Sequence, residues 1–299
     1  MEFKSGFVTV VGKPNVGKST LINAFLGEKI AITSPKPQTT RTNLNAIITN
    51  ENAQIIFIDT PGIHTPKNKL GEYMIDVAKS TFSEVDVILF LCDATDKTIM
   101  QSDLRIIDSL RMVKNKPVIL VLNKVDAVAK ETLLEKIQIL SQKMEFHAIY
   151  PISALKNDGT DNLLSEIEKC LPQGPKYFPD DILTDTSLRD IVADIIREKI
   201  LLFTSDEVPH GIGIEIIKFE EAKKAGGVTS IEVNIISEKN SHKAILIGKG
   251  GTMLKKIGTR ARYDIERVIG GKVNLQLWVK VREDWRNNSG VLRELGYKK

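Results

Sequence analysis

The chain has 299 residues, of which 42% are hydrophobic and 27% charged, with a formal net charge of +4. This composition predicts about two globular domains, and no run of 18 apolar residues indicates a membrane span. The first residues lack the apolar segment of a signal peptide, and two cysteines, Cys92 and Cys170, favour neither a disulfide framework nor a metal site. We therefore expect a cytoplasmic protein.

A phosphate-binding pattern follows the first predicted strand, residues 8–11. The segment Gly12-Lys13-Pro14-Asn15-Val16-Gly17-Lys18-Ser19-Thr20 matches G-x-x-x-x-G-K-[ST] and leads into a predicted helix that ends near Gly27. In such a loop the backbone N–H groups and the helix N-terminus bind phosphate. Lys18 is expected to reach the β- and γ-phosphates, and the Ser19 hydroxyl to bind Mg²⁺. The predicted nucleotide contacts here are Gly12, Asn15, Val16, Gly17, Lys18, Ser19 and Thr20.

A second motif lies at the end of a strand. Residues 28–42 predict a mobile loop, and two strands follow at 45–49 and 54–58, the second of which ends in Asp59-Thr60-Pro61-Gly62. An Asp at the carboxyl end of a strand can hold Mg²⁺ through water, and the Gly62 N–H can contact a γ-phosphate. Asp59 is therefore a predicted metal residue, and Gly62 a predicted phosphate contact.

The next strands indicate which base is bound. Strands at 85–93, 117–123 and 148–153 alternate with helices at 70–82, 101–111, 131–143 and 161–170, which predicts an α/β domain with a mostly parallel sheet covered by helices on both faces. The strand at 117–123 ends in Asn123-Lys124-Val125-Asp126, and the Asp126 carboxylate can accept hydrogen bonds from N1–H and the exocyclic amine of guanine. A weaker motif, Ser153-Ala154-Leu155, would place the Ala154 N–H against guanine O6.

The order of these motifs resembles that of the translation-factor-related GTPases, a P-loop GTPase superfamily. The resemblance implies that a Thr of the first mobile loop joins Mg²⁺ and the γ-phosphate; we favour Thr40, with Thr39 as the alternative. Ile63 stands where Ras-like GTPases carry a water-orienting Gln, so we expect slow intrinsic hydrolysis. His64 is a less favoured candidate base. The expected catalytic residues are Lys18, Thr40, Gly62 and Asn15, and the resemblance implies that Asn15 helps to bind K⁺.

The segment 171–181 contains three prolines and a glycine, which exclude a helix through it and indicate a boundary between two domains. We expect a GTPase domain over 1–172, a linker over 173–185 and a second domain over 186–299.

Periodicity predicts a helix at 186–203, strands at 211–219 and 228–237, a short helix that breaks at Gly248, a helix at 252–269 and a strand at 273–281. This α+β order resembles a type II KH domain. Trp278 is expected in the core, whereas stacking and packing both remain open for Trp285.

Residues 239–299 hold 15 Lys and Arg against 5 Asp and Glu, which favours a polyanionic partner. In KH domains a G-x-x-G loop, here Gly248-Lys249-Gly250-Gly251, clamps the backbone of single-stranded nucleotides. A solvated basic face or binding to anionic lipid is the alternative. The predicted RNA contacts are Lys243, Ile245, Ile247, Gly248, Lys249, Gly250, Gly251, Lys255, Lys256 and Arg260.

A GTPase domain followed by a KH domain resembles the Era family over nearly the whole chain. The segments at 37–41, 196–199, 247–251 and 292–297 carry this resemblance. It implies binding to the 3′ end of small-subunit ribosomal RNA and a role in maturing that subunit, in the cytoplasm or at the inner face of the membrane. We expect a monomer. The alternatives are a regulatory GTPase that acts on a protein or on the membrane surface, and an RNA-binding protein that uses nucleotide only for stability.

Overall fold

The structure is a computed structural model that describes residues 2–34, 36, 39–63, 66, 68–205, 208–224 and 226–297. His64, the candidate base, and Gln38 lie outside the described residues. Contacts divide the chain into two compact units. The first comprises Met1–Thr33, Thr40–Pro66 and Met74–Asp185; the second comprises Ser34–Thr39, Lys67–Tyr73 and Thr186–Lys299. Within the described ranges, no helix combines the length and the apolar character that crossing a membrane requires.

A six-stranded sheet forms the centre of the first unit. Its strands are β1 (Lys4–Val11), β2 (Leu44–Thr49), β3 (Ala53–Asp59), β4 (Val87–Asp93), β5 (Val118–Asn123) and β6 (Ala148–Ile152), in the order β2-β3-β1-β4-β5-β6. Only the β2–β3 pair is antiparallel among these neighbours. The register pairs Val10 with Asp59 and Asp93 with Asn123. The polar residues that end β3, β4 and β5 therefore lie side by side at the carboxyl-terminal end of the parallel strands.

Among the described residues, five helices cover this sheet on both faces, as predicted. They are α1 (Lys18–Leu26), α2 (Lys69–Glu84), α3 (Gln101–Leu110), α4 (Lys130–Lys143) and α5 (Thr160–Cys170). Alternate strand residues enter two separate cores: Val8 and Val10 pack with α1 and α5, whereas Val11 packs with α2, α3 and α4. The strands read as continuous apolar runs because both of their faces are buried.

The second unit has the predicted element order. It contains α6 (Leu188–Phe203), β7 (Ile212–Glu220), β8 (Val228–Ser237), α7 (Asn240–Ile247), α8 (Thr252–Ile269), β9 (Lys272–Val281) and a short α9 (Ser289–Glu294). The sheet order is β7-β8-β9, with β7 antiparallel and β9 parallel to β8. Side chains of α6, α7 and α8 form one core with the inner residues of the three strands.

The two tryptophans occupy different environments. The prediction that Trp278 is a core residue is wrong, because its exposed fraction is 43%. On β9 the neighbours Leu277 and Val279 face the helices. Because successive side chains of a strand point to opposite faces of the sheet, Trp278 lies on the outer face. Trp285 is fully buried, and its Nε1–H donates to the Gly211 carbonyl at 3.0 Å. Packing is therefore the role of Trp285 in this unit.

Candidate nucleotide site and nucleic-acid interface

The phosphate-binding loop joins β1 to α1 through glycines that have no room for a side chain. Gly17 precedes α1 with φ 102°, and a Cβ on it would lie 2.2 Å from Asn123 Nδ2. A Cβ on Gly12 would lie 2.5 Å from the Leu91 carbonyl oxygen. The Asn123 side chain also donates to the Val16 carbonyl at 2.8 Å. The base-recognition motif is thus tied directly to the phosphate loop.

Lys18 is the charged group of this loop, and it is buried. Its Nζ donates to the carbonyls of Gly12 and Lys13, both at 3.1 Å. Burial lowers the pKa of Lys18 from 10.5 to about 8, although the negative charge of Asp59 opposes the shift. Burial removes water from the Lys18 ammonium, which makes its charged form less stable. A multiply charged anion such as a nucleotide phosphate compensates for this loss by electrostatic attraction.

Three predicted metal residues lie together beside the loop. Ser19 Oγ and Thr40 Oγ1 donate to the same Asp59 oxygen, Oδ2, at 2.8 and 3.2 Å, and the two hydroxyl oxygens are 3.2 Å apart. An all-oxygen set of two hydroxyls and one buried carboxylate matches the ligand preference of Mg²⁺. Thr39 instead donates to the Lys36 carbonyl at 2.8 Å. The placement favours Thr40 over Thr39.

The segment after Asp59 approaches the loop through a glycine. A Cβ on Gly62 would lie 2.9 Å from the Pro14 nitrogen, so the backbone contact requires glycine here. The Ile63 N–H donates to the Gly12 carbonyl at 3.3 Å, and the Ile63 side chain is buried in the core. An aliphatic side chain turned into the core has no group with which to orient a water molecule.

The base-recognition residues form one hydrogen-bonded cluster. Asp126 Oδ1 accepts from the Ser153 hydroxyl at 2.7 Å, and this bond is the main reason that the pKa of Asp126 is below its ordinary value. The Ala154 N–H donates to Asn123 Oδ1 at 3.0 Å, so its assignment to guanine O6 stays a prediction. Leu155 is 81% exposed and makes no part of this cluster.

Asp93 is a site residue that sequence reasoning missed. Its carboxylate accepts from Lys124 Nζ at 2.5 Å, and the same ammonium donates to the Asn15 carbonyl at 2.9 Å. Burial raises the pKa of Asp93, but the bonds from Lys124 and Thr95 outweigh it and leave the pKa below its usual value. Its position could have indicated this role, because Asp93 ends a buried strand and the adjacent strand ends at Asn123.

The G-x-x-G loop of the second unit is open to solvent. Gly248, Gly250 and Gly251 have φ of 73°, 59° and 79°, which favours glycine at each. A Cβ on Gly250 or Gly251 would meet no heavy atom within 4 Å. Lys249 is exposed, and Ile245 has an exposed fraction of 48%. The loop can therefore be approached closely by another backbone.

A groove of about 370 Å³ runs from this loop along α8 to β9. It is lined by Gly251, Leu254, Lys255, Gly258, Thr259, Arg262, Leu275 and Leu277. Lys255 and Gly251 are predicted RNA contacts, whereas the apolar wall from β9 was not anticipated. Lys243 and Arg260 are not among the described residues that line the groove, and Lys256 lies over the Phe203 ring, 4.3 Å from its centroid.

Comparisons with known proteins agree with this geometry. A family model described as "50S ribosome-binding GTPase" matches residues 7–124, and one described as "KH domain" matches residues 207–286. The chain is 54% identical to GTPase Era of Ruminiclostridium cellulolyticum over 298 residues, with 100% of this chain and 99% of the relative covered. It is 51% identical to GTPase Era of Clostridium perfringens over 297 residues, with 99% of each covered.

Two solved structures match over nearly the whole chain. Era in complex with MgGDPNP and nucleotides 1506–1542 of 16S ribosomal RNA has 43% identity and a TM-score of 0.94, with 99% of this chain and 100% of that chain covered. A variant of Aquifex aeolicus Era bound to GDP and AlF₄⁻ has 42% identity, the same TM-score and the same coverage. These matches confirm the predicted fold class, a P-loop α/β domain followed by a KH domain.

Proposed function

Because the chain belongs to the Era family of GTPases, we propose that it binds the 3′ end of small-subunit ribosomal RNA and acts in the maturation of that subunit. The protein hydrolyses GTP to GDP and phosphate, and its cofactors are guanine nucleotide and Mg²⁺. The observation that carries the RNA proposal is the open glycine loop at Gly250 and Gly251, which continues into a groove with a basic and an apolar wall.

The nucleotide chemistry is assigned to the residues that meet at the sheet edge. Lys18 would contact the β- and γ-phosphates, and the oxygens of Ser19, Thr40 and Asp59 would hold Mg²⁺, which neutralises charge on the phosphate oxygens. The Gly62 N–H would contact the γ-phosphate. Asp126 would accept the two guanine donors, and the bond from Ser153 would hold its carboxylate in place for them.

Hydrolysis without an activator should be slow. The Ile63 side chain is buried and has no polar atom, so this chain lacks a water-orienting group at the place where Ras-like GTPases have one. We assign a K⁺ site to the phosphate loop at Asn15, where a cation would add positive charge beside the phosphates in the transition state.

The function of the nucleotide is proposed to be a switch. GTP and Mg²⁺ would order the segments around Thr40 and Gly62, and hydrolysis would release them. If the GTP state binds RNA more tightly than the GDP state, RNA must raise the affinity for GTP relative to GDP by the same factor.

The RNA proposal is tested with a pair of glycine variants of the full chain. The probe is a fluorescein-labelled single-stranded RNA with the sequence of the 3′ end of 16S ribosomal RNA, and the readout is fluorescence anisotropy with GDPNP or GDP bound. Gly251→Asp adds a carboxylate beside the proposed phosphate path and should weaken binding by roughly tenfold or more. GTP affinity should not change, because Gly251 lies outside the nucleotide site.

Gly226→Asp is the matched control. Gly226 has φ 77°, close to the 79° of Gly251, and a Cβ on either would meet no atom within 4 Å. The two variants therefore carry similar backbone strain and the same added charge, but Gly226 lies in the β7–β8 connection. Equal RNA affinities of the two variants would refute the RNA assignment. Equal affinities of the GDPNP and GDP forms would refute only the switch.

We place this function in the cytoplasm, where small subunits are assembled. The basic end of the chain would also attract an anionic lipid surface, and co-sedimentation with phosphatidylglycerol vesicles measures that contact. Vesicle binding that survives physiological salt, together with no RNA binding, would favour the membrane-surface alternative instead.

A further inference from the structure

The first unit brings a histidine, a glutamate and a cysteine together at the end of the sheet away from the nucleotide. His147 directly precedes β6, and Glu166 and Cys170 lie one helical turn apart on α5. Ser153 and the guanine motif follow the other end of β6, whose 5 residues span roughly 16 Å. The cluster is therefore separate from the GTP chemistry.

The three side chains meet at distances that suit a tetrahedral metal ion. Cys170 Sγ and Glu166 Oε1 are each 3.3 Å from His147 Nε2, and all three ligand atoms lie within 4.8 Å of one another. Tetrahedral Zn²⁺ with ordinary bond lengths requires edges of about 3.5 Å between sulfur and nitrogen and about 3.3 Å between nitrogen and oxygen. Two of the three edges are thus close to the required length.

The carboxylate is already oriented for this role. Glu166 Oε2 accepts from the Tyr150 hydroxyl at 3.2 Å and from Lys169 Nζ at 3.1 Å. Both bonds are made by Oε2, and the other carboxylate oxygen, Oε1, faces His147. Outer bonds of this kind hold a ligating carboxylate in place in known metal sites.

A metal ion can also reach the cluster. The His147 side chain is 44% exposed, and His147 and Cys170 line a cavity of about 610 Å³. The cavity leaves space for water as the fourth ligand. A set of one thiolate, one imidazole and one carboxylate selects Zn²⁺ over Mg²⁺ or Ca²⁺, which prefer oxygen ligands alone.

We propose that His147, Glu166 and Cys170 form a Zn²⁺ site that clamps the C-terminal end of α5 to the start of β6. The ion would stabilise the first unit, because it binds the folded chain and the cluster does not exist in the unfolded one.

The test is a titration of the full chain, loaded with Mg²⁺ and GDP so that the nucleotide site is filled, with ZnSO₄ and with CoCl₂. We expect one equivalent of Zn²⁺ by calorimetry, a rise in the unfolding midpoint, and a Co²⁺ spectrum with tetrahedral d–d bands and a thiolate charge-transfer band. The band is informative because the chain has only 2 cysteines, and the other, Cys92, is buried in β4.

Cys170→Ser should remove the thiolate band and weaken Zn²⁺ binding by roughly tenfold or more. His147→Gln, at an exposed position, should weaken it similarly, and retained GDP binding shows that each variant is folded. Cys92→Ala is the matched control and should keep the band. A Co²⁺ spectrum without the band, or Zn²⁺ affinity unchanged in both Cys170→Ser and His147→Gln, would overturn the proposal.

Discussion

The buried Lys18 ammonium should make GTP binding depend on pH in the alkaline range. In the nucleotide-free protein its pKa is about 8 because burial disfavours the charged form. Bound phosphates favour the charged form, so the pKa must rise when GTP binds. Above pH 8 the protein therefore has to take up a proton in order to bind, and affinity falls as the pH rises.

The magnitude follows from the linkage between protons and nucleotide. With a free-protein pKa of about 8, nine-tenths of Lys18 is charged near pH 7 and about one-tenth near pH 9. The dissociation constant for GDPNP should thus rise by about tenfold between pH 7 and pH 9. Calorimetry at pH 8 in two buffers of different ionisation enthalpy should report uptake of about half a proton.

Lys18→Arg is the reference variant, because a guanidinium stays protonated throughout this range. Guanine itself titrates in alkaline solution, and that contribution remains in the variant, so the difference between the two slopes isolates Lys18. If the wild-type chain and Lys18→Arg lose affinity equally from pH 7 to pH 9, or if no proton is taken up at pH 8, the reasoning from burial is refuted.

Three further results are expected. Gly17→Ala places a Cβ 2.2 Å from Asn123 Nδ2 at a φ of 102°, and it should lower the free energy of unfolding by at least about 1 kcal/mol; an unchanged urea midpoint would contradict this. Asp126→Asn should shift the preference from guanine to xanthine nucleotides in a competition assay, because the amide presents a donor where the carboxylate accepted; continued preference for GTP would argue against the assignment. Hydrolysis should be faster in KCl than in NaCl at equal ionic strength, and equal rates would remove the proposed role of Asn15.

The phosphate loop was predictable because its geometry is local. A strand, a glycine loop and a helix in direct succession place Gly17, Lys18 and Ser19 on one short path, whatever the rest of the chain does. The same holds for the G-x-x-G turn, where positive φ at Gly250 and Gly251 follows from the break between two helices. The bounds of β8 and α8 also agree with the predicted ranges, since their periodicity is strong.

Positions that depend on packing across the chain were not predictable. The sequence favoured Thr40 with Thr39 as the alternative, but the contact itself, with the Thr40 hydroxyl 3.2 Å from Asp59, is set by the folded loop. Trp278 was expected in the core, but the helices cover one face of its sheet and Trp278 lies on the other.

The amino-acid sequence by itself determined the order of elements and the nucleotide chemistry, because those follow from short-range periodicity and motif spacing. Its summed charge indicated a polyanionic partner but did not distinguish RNA from an anionic lipid surface. Tertiary structure alone decided which distant side chains meet: Asp93 with Lys124, Leu277 with the α8 groove, and Cys170 with His147. Distances between residues far apart in the chain are set by how strands align and helices pack, and no local pattern records them.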